Sequence, residues 1–566
     1  MPDRHINNKR LEIFFLVVLG IISIILRLYS TNQPDFYFDE AIQAMSIKDF
    51  IATGNTDDLY LFGHGPFFML AMYIPAFLFG IIEFSIRMVE AFFGTLAVFV
   101  IYFLTKMWYG KKYAVLASIL FAVAPLPVIY SRLSYAYGVS MFFTIASVFA
   151  IEYLIRKKHD KRRELILIFA SGTLIGLTLL TRFNSLPIFF LYWLFVLSYS
   201  FFKEKNCFRK YLYYAFILNL IALVSFIAIV LSFGGIPRLI YIFQNFLFVI
   251  QQQSTQLLNP YYYHIAVLFD GISPFLYVLL PFAFLYLLIN KKTTRTDIML
   301  FFLVFVFFII ITIQARRFSR HQLVIYPFLI ILLSRFIAGF SSNYMKKISS
   351  IAVSAVIVLG TLSWTLLIIY QTHDFNVWTK VGDYIEENYD KSVKIHSGYI
   401  RNRQIKTHVP RDIDSSLRIS ALNKGDLVIF AFLNENSTIL ENSPFEDKST
   451  LFENKFAAKR SRNLEFSPDY YKYVLEHGAL VKTFDYKKGT AVWIYKMNDV
   501  KDKNLYPYKG LIGTVLKDTK LFGLWDVICT SWNKGNLIDI VIKKVVSSQQ
   551  SREISAKCLG VGKDLY

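Results

Sequence analysis

The chain has 566 residues, 55% hydrophobic and 17% aromatic, with a formal net charge of +21. A mean hydropathy of +0.44, with several nearly charge-free stretches long enough to cross a hydrocarbon core of about 30 Å, excludes a soluble globule and indicates a polytopic membrane protein. The basic residues sit at the ends of apolar segments, as in loops facing anionic lipid, so the charge argues against nucleic acid as a partner. The 3 cysteines lack short spacings, which disfavours a zinc site or a disulfide framework.

The segment Met1 to Arg10 is basic, and the apolar run after it lacks a small-residue cleavage site, so it predicts a retained first helix. At the end of that run comes Phe36-Tyr-Phe-Asp-Glu-Ala41, which places Asp39 and Glu40 among aromatics at a hydrocarbon boundary. Further on lie the pair Asp57-Asp58 and the turn-forming stretch Gly63-His-Gly-Pro-Phe67, with His64 its only ionisable group.

Lys and Arg then concentrate at Lys106 to Lys112, Arg156 to Arg163, Lys203 to Lys210, Lys291 to Arg295 and Lys346-Lys347. If these face the cytoplasm together with the N-terminus, the apolar segments between them come in pairs. The segments are Glu12–Leu28, Met88–Tyr102, Val115–Tyr130, Gly138–Leu154, Leu165–Leu180, Leu186–Phe202, Leu212–Phe233, Pro274–Ile289, Ile298–Gln314, Leu323–Phe340 and Ile351–Tyr370. They predict about 11 transmembrane helices and an external C-terminus. Pro66 to Ile82, interrupted by Pro75, is expected to lie in or dip into the outer interface, because a further span would turn Arg156 to Arg163 outward.

From Asn376 charges become frequent and short alternating segments appear at Val393 to Ile395, Asp426 to Phe430 and Ala491 to Tyr495. The expected organisation is a membrane domain over 1–375 and an external α/β or β-rich domain over 376–566.

The external segments carry the candidate chemistry. Arg316, Arg317 and Arg320 in Ala315-Arg-Arg-Phe-Ser-Arg-His-Gln322 defy the positive-inside bias. Lipid-headgroup anchoring is one reading; an anion site is the other, since guanidinium forks match phosphate oxygens bidentately. Arg132 and Arg182 fall at external helix ends and would complete an electropositive bowl suited to a phosphate-bearing lipid. A carboxylate beside such a bowl can take a proton from an attacking hydroxyl. Asp39 and Glu40 are sequence neighbours and do not share a helix face, so one of them is expected to reach the reacting atoms.

The order of motifs resembles the GT-C glycosyltransferases of the protein O-mannosyltransferase and aminoarabinose-transferase type. A first span is followed by the Asp39-Glu40 pair, His64-x-Pro66, Gly80-x-x-Glu83-Phe84-x-x-Arg87, Pro125-Leu126-x-x-x-Tyr130-Ser131-Arg132, and the distal Arg320-His321-Gln322-x-x-x-x-Pro327. The resemblance runs from about Arg10 to Gly339. It implies a polyprenyl-phosphate-linked sugar donor, an external protein, glycan or lipid acceptor, and inversion at the anomeric carbon with an Asp base. Carried over, it makes Asp39 the essential acid and Glu40 its companion. His64 and Pro66 match the turn, and Arg87, Arg132, Tyr137 and Arg320 match binding positions. At Tyr137 many relatives carry Asp, which bears against a second loop acid or a metal there; no cofactor is certain, and a divalent metal stays open.

The resemblance does not cover the C-terminal domain. Asn436-Ser-Thr438 is a glycosylation sequon consistent with an outside location, and Cys529 could pair with Cys558, whereas Cys207 lies in a cytoplasmic loop. The rival to a transferase is a lipid-linked sugar transporter or a non-catalytic lipid-binding subunit, which would need the bowl but no base. An oligosaccharyltransferase subunit is disfavoured by the absence of a WWD tripeptide. Single cysteines at Ser319 and Lys158 test the topology: an impermeant thiol reagent is expected to label the first from outside and the second only after permeabilisation. Labelling on one side for both removes the case for a bowl.

Overall fold

The computed structural model of the chain describes residues 2–32, 38–54, 66–182, 185–253, 268, 271–289, 293–313, 322–344, 347–372, 377–397, 413–414, 421–432, 473–474, 476–486 and 490–498. The helices of the first two-thirds are α1 (Pro2–Leu28), α2 (Phe38–Thr53), α3 (Pro66–Phe79), α4 (Glu83–Tyr109), α5 (Lys111–Val123), α6 (Pro125–Tyr130), α7 (Tyr137–Arg156) and α8 (Lys161–Thr181). They continue with α9 (Leu186–Lys203), α10 (Lys205–Gln253), α11 (Pro274–Ile289), α12 (Arg295–Ile313), α13 (Tyr326–Tyr344) and α14 (Lys347–Thr372). Among the described residues, 8 helices are long and apolar enough to cross a membrane, and α3, α11 and part of α13 are shorter apolar helices.

Each of the apolar segments falls on helix, with local differences that have physical causes. Val115–Tyr130 is two helices rather than one. Ala124 is extended (φ −64°, ψ 132°) and Pro125 opens α6, where its missing N–H and its restriction on the preceding residue are both accommodated. Helix α10 continues well past Phe233 but is bent at Gly235, whose φ of 64° lies where side chains are strained. Helix α3 has 14 residues, about 21 Å at 1.5 Å per residue, short of the hydrocarbon thickness. It packs against α4 and α8 through Phe68, Met69, Met72 and Ala76.

The helix ends meet in two polar layers. In one, Lys106 and Lys111 pair with Glu12, and Glu152 accepts from Trp108 Nε1 at 3.1 Å, Tyr192 Oη at 3.0 Å and Arg156 Nε at 2.6 Å. Arg156 also donates to Thr296 Oγ1 at 2.6 Å. Arg295 contacts Glu204 at 3.5 Å, and Arg335 contacts Asp297 at 3.3 Å while donating to Tyr113 Oη at 3.0 Å. The basic segments around Lys106, Arg156, Glu204 and Arg295 therefore lie on one face of the bundle, as their pairing along the chain predicts. Arginines here match acids nearly one for one, so little net charge is left inside.

Beyond Thr372 the next helix is α15 (Val377–Asn388). The strands are β1 (Ile395–Ser397), β2 (Ile413–Asp414), β3 (Leu427–Phe432), β4 (Gly478–Tyr486) and β5 (Thr490–Met497), in the order β2-β1-β3-β5-β4. β1 runs parallel to β2 and β3, whereas β3–β5 and β5–β4 are antiparallel. Trp378, Val381 and Ile385 of α15 pack with Ile395, Leu427, Ile429, Val492 and Ile494 in a separate core, an α/β arrangement. The Asn436 sequon, Cys529 and Cys558 lie outside the described residues; Cys207 is a partly buried free thiol.

Glu152→Ala is expected to destabilise the protein by about 3 kcal/mol, because it leaves the Trp108 and Tyr192 donors and the Arg156 charge without their acceptor. Thermal unfolding in detergent should show a lowered Tm, with Glu152→Gln losing less; an unchanged Tm for the alanine variant contradicts the assignment.

Candidate functional site

The other polar layer is built from the C-terminal end of α1, the first turn of α2, the start of α4, the connection between α6 and α7, and the C-terminal end of α8. Its centre is the connection Ser131-Arg-Leu-Ser-Tyr-Ala136, every residue of which is buried. Connections normally run over a surface because their backbone groups need water. This one is held by side chains instead. Ser134 N donates to Glu40 Oε1 at 2.7 Å and Ser134 Oγ to Gln43 Oε1 at 2.6 Å. The Tyr135 carbonyl accepts from Arg182 Nη1, and Arg132 Nη1 reaches the Leu26 carbonyl at 3.0 Å. Ala136 closes the connection at φ 60°, a left-handed conformation rarely adopted by a residue with a Cβ.

Glu40 and Arg87 form the main joint. Arg87 Nε donates to Glu40 Oε1 at 2.9 Å and Nη2 to Oε2 at 2.6 Å, both side chains being buried. This two-pronged geometry fixes direction as well as distance. Arg87 Nη1 also reaches the Thr31 carbonyl at 2.6 Å. The cationic groups thus meet backbone carbonyls at and just beyond the negative end of the α1 dipole, where positive charge is favoured.

A second carboxylate does the equivalent on α7. Glu90 Oε2 accepts from the Gly138 and Val139 N–H groups, the positive amino end of that helix. The approach depends on Gly138: a Cβ there would lie 2.8 Å from the Glu90 carbonyl oxygen and closer still to the carboxylate. Beside it, the Arg182 guanidinium stacks 4.0 Å from the centre of the buried Tyr137 ring.

Arg87, Arg132, Tyr137 and Arg182, distant in sequence, therefore lie together in this layer. Glu40 shares their cluster, but its carboxylate is taken up by Arg87 and Ser134 N–H, an arrangement suited to an anchor rather than to a base. Asp39 lies in the first turn of α2, and its side chain, like His64, Arg316, Arg317 and Arg320, lies outside the described residues. Sequence reading passed over Glu90 and Arg27, which also belong here. A charge inside an apolar run is an available signal for both. Among the described residues, Arg27, Arg87, Arg132 and Arg182 stand against Glu40 and Glu90, a larger excess of positive charge than in the opposite layer. Among the described residues no group of 3 His, Cys, Asp or Glu gathers to hold a metal ion, and both carboxylates present are engaged by arginine or backbone N–H.

Comparison with known proteins gives residues 63–231 as a match to the family described as dolichyl-phosphate-mannose-protein mannosyltransferase. Sequence comparison with curated proteins finds no match. Among solved structures, the chain is similar to ArnT from Cupriavidus metallidurans bound to undecaprenyl phosphate, with a TM-score of 0.57 at 11% identity, over 85% of this chain and 97% of that one. It is also similar to the oligosaccharyltransferase AglB from Archaeoglobus fulgidus in complex with an inhibitory peptide and a dolichol-phosphate, with a TM-score of 0.51 at 14% identity, over 88% of this chain and 75% of that one. The fold is that of the GT-C membrane glycosyltransferases.

Arg87→Gln is expected to leave the Glu40 carboxylate buried without its ionic partner, at a cost of about 3–5 kcal/mol. A lowered Tm should accompany it, and Glu40→Gln/Arg87→Gln together should recover part of the loss; a double variant as unstable as the sum of the singles counts against the joint.

Proposed function

We propose that this GT-C-fold protein transfers a sugar from a polyprenyl-phosphate carrier to an acceptor on the external face of the membrane, with inversion at the anomeric carbon. The observation that carries the reading is the excess of arginine in the layer around Ser131–Ala136, next to the first turn of α2 where Asp39 lies. Arg87, Arg132 and Arg182 are held there by hydrogen bonds that fix their positions before any ligand arrives. Donors fixed in advance stabilise the charge that a departing phosphate develops.

In this mechanism Asp39 is the general base. It takes the proton of the acceptor hydroxyl as that oxygen bonds to the anomeric carbon; the carbon–oxygen bond to the carrier phosphate breaks, and the phosphate departs with the electron pair. Arg182 and Arg132, with Arg316, Arg317 and Arg320 from the distal segment, meet the phosphate charge. Glu40 keeps Arg87 in place, and His64, just before α3 in the sequence, is a further substrate-binding residue. The similarity to proteins solved with undecaprenyl phosphate and dolichol-phosphate supports a lipid phosphate carrier. The external assignment is supported by the opposite layer, which collects Lys106, Lys111, Arg156, Arg295 and Arg335, the bias of a cytoplasmic face.

Asp39→Asn is expected to abolish sugar transfer from a polyprenyl-phosphate donor in reconstituted vesicles, a loss of about 10³-fold or more, while undecaprenyl phosphate still binds. Normal transfer by this variant would falsify the role of Asp39; no transfer by the wild-type protein with any lipid-linked sugar, but carriage of one across the vesicle, would favour the transporter.

A further inference from the structure

Glu90 and Arg27 are the charged groups of this layer that the mechanism leaves without a role. Arg27 is fully buried, and its Nη1 donates to Ser23 Oγ at 2.7 Å and to the Ala122 carbonyl at 3.3 Å. Among the described residues its Nε and Nη2 have no hydrogen-bond partner, and neither has Oε1 of the equally buried Glu90. An isolated ion in such surroundings is very costly, so the two opposite charges stand or fall together.

The space between them is occupied by Ser131. A Cβ at Gly94 would fall on Ser131 Oγ and 3.0 Å from Arg27 Nε; one at Gly138 would fall against the Glu90 carboxylate and 3.3 Å from the same Ser131 Oγ. The serine hydroxyl donates to the Pro127 carbonyl at 2.7 Å, which leaves its oxygen able to accept. Two glycines, one on α4 and one on α7, thus leave room for a line of guanidinium, hydroxyl and carboxylate. Beyond the carboxylate come the amino end of α7, the Tyr137 ring and the Arg182 guanidinium stacked on it.

We propose that Glu90 is a positioning residue of the transfer site: balanced by Arg27 across Ser131, its carboxylate holds the amino end of α7 and so sets the Tyr137–Arg182 stack toward the carrier phosphate. Helix α7 begins at a left-handed Ala136, so it is the Glu90 contact that keeps Gly138 and Val139 aligned against this strained turn. The second external connection carries Tyr137 where an acid is expected from the resemblance, and a carboxylate reaches the same helix end from α4.

The proposal rests on the reading that Arg182 meets the carrier phosphate, and its test uses the full-length protein in lipid nanodiscs with undecaprenyl phosphate as the probe. Glu90→Gln retains an acceptor for the Gly138 N–H but removes the charge. It is expected to weaken binding about tenfold, equivalent to about 1.4 kcal/mol. Arg182→Gln should weaken binding at least as much, and the double variant should bind no worse than Arg182→Gln alone, because Glu90 acts through Arg182. Glu90→Ala, which removes the acceptor as well, should exceed Glu90→Gln. Separately from any ligand, the Tm loss of Arg27→Gln/Glu90→Gln should be smaller than the sum of the single losses. Wild-type binding by Glu90→Gln, additive binding losses with Arg182→Gln, or additive Tm losses with Arg27→Gln each overturn the proposal. Failure of the transfer reading appears elsewhere, in the Asp39→Asn comparison, and leaves the thermal cycle intact.

Discussion

The buried pair of Glu40 and Arg87 is the joint on which the rest of the site depends. A guanidinium and a carboxylate removed from water must satisfy each other, and these do so with two bonds of 2.9 and 2.6 Å. The remaining capacity of each reaches outward, Arg87 to the end of α1 and Glu40 to the backbone of Ser134. One ion pair thereby ties four separate parts of the chain, α2, α4, the end of α1 and the connection between α6 and α7, to a single point. With Glu90 acting on the far side, the connection between α6 and α7 is clamped between two carboxylates and needs no water for its backbone.

The two ends of the bundle differ in how their charges are balanced. At one, Glu12, Glu152, Glu204 and Asp297 each meet lysine or arginine, so that layer works as a brace that joins helices. At the other, four arginines face two carboxylates among the described residues, and helix termini supply further partial charges. A brace and a receptive surface are thus built from the same residue types. What separates them is the ratio of acid to base and the presence of a buried, preset connection. Under the proposed function, the balanced layer keeps the bundle rigid while the other accepts an anionic headgroup.

Much of this could be seen in the order of residues. Hydrophobic runs marked the helices, because a segment crossing hydrocarbon must satisfy its own backbone. Arg132 and Arg182 stood out as basic residues at helix ends and Arg87 through the resemblance, and in the structure all three lie in one layer. The break at Pro125 went unread, because a hydropathy average over Val115–Tyr130 hides it, and two helices result. Glu90 went unnoticed because it sits inside an apolar run with no neighbour in sequence to explain it; its hydrogen-bond partners come from α7. Glu40 was paired with Asp39 by adjacency, yet its geometry joins it to Arg87, 47 positions along the chain.

The sequence by itself determined the membrane character, the helical segments, the change of composition near Asn376 and which face of the bundle collects lysine and arginine. These follow from local properties: length, hydropathy and the position of charges relative to the ends of each run. The tertiary structure alone decided which acid is an anchor, which helix end a buried carboxylate caps, and where positive charge exceeds negative. Such matters depend on distances between side chains far apart in the chain. In a low-dielectric interior a few ångströms separate a satisfied ion from an intolerable one, and no local pattern encodes that separation.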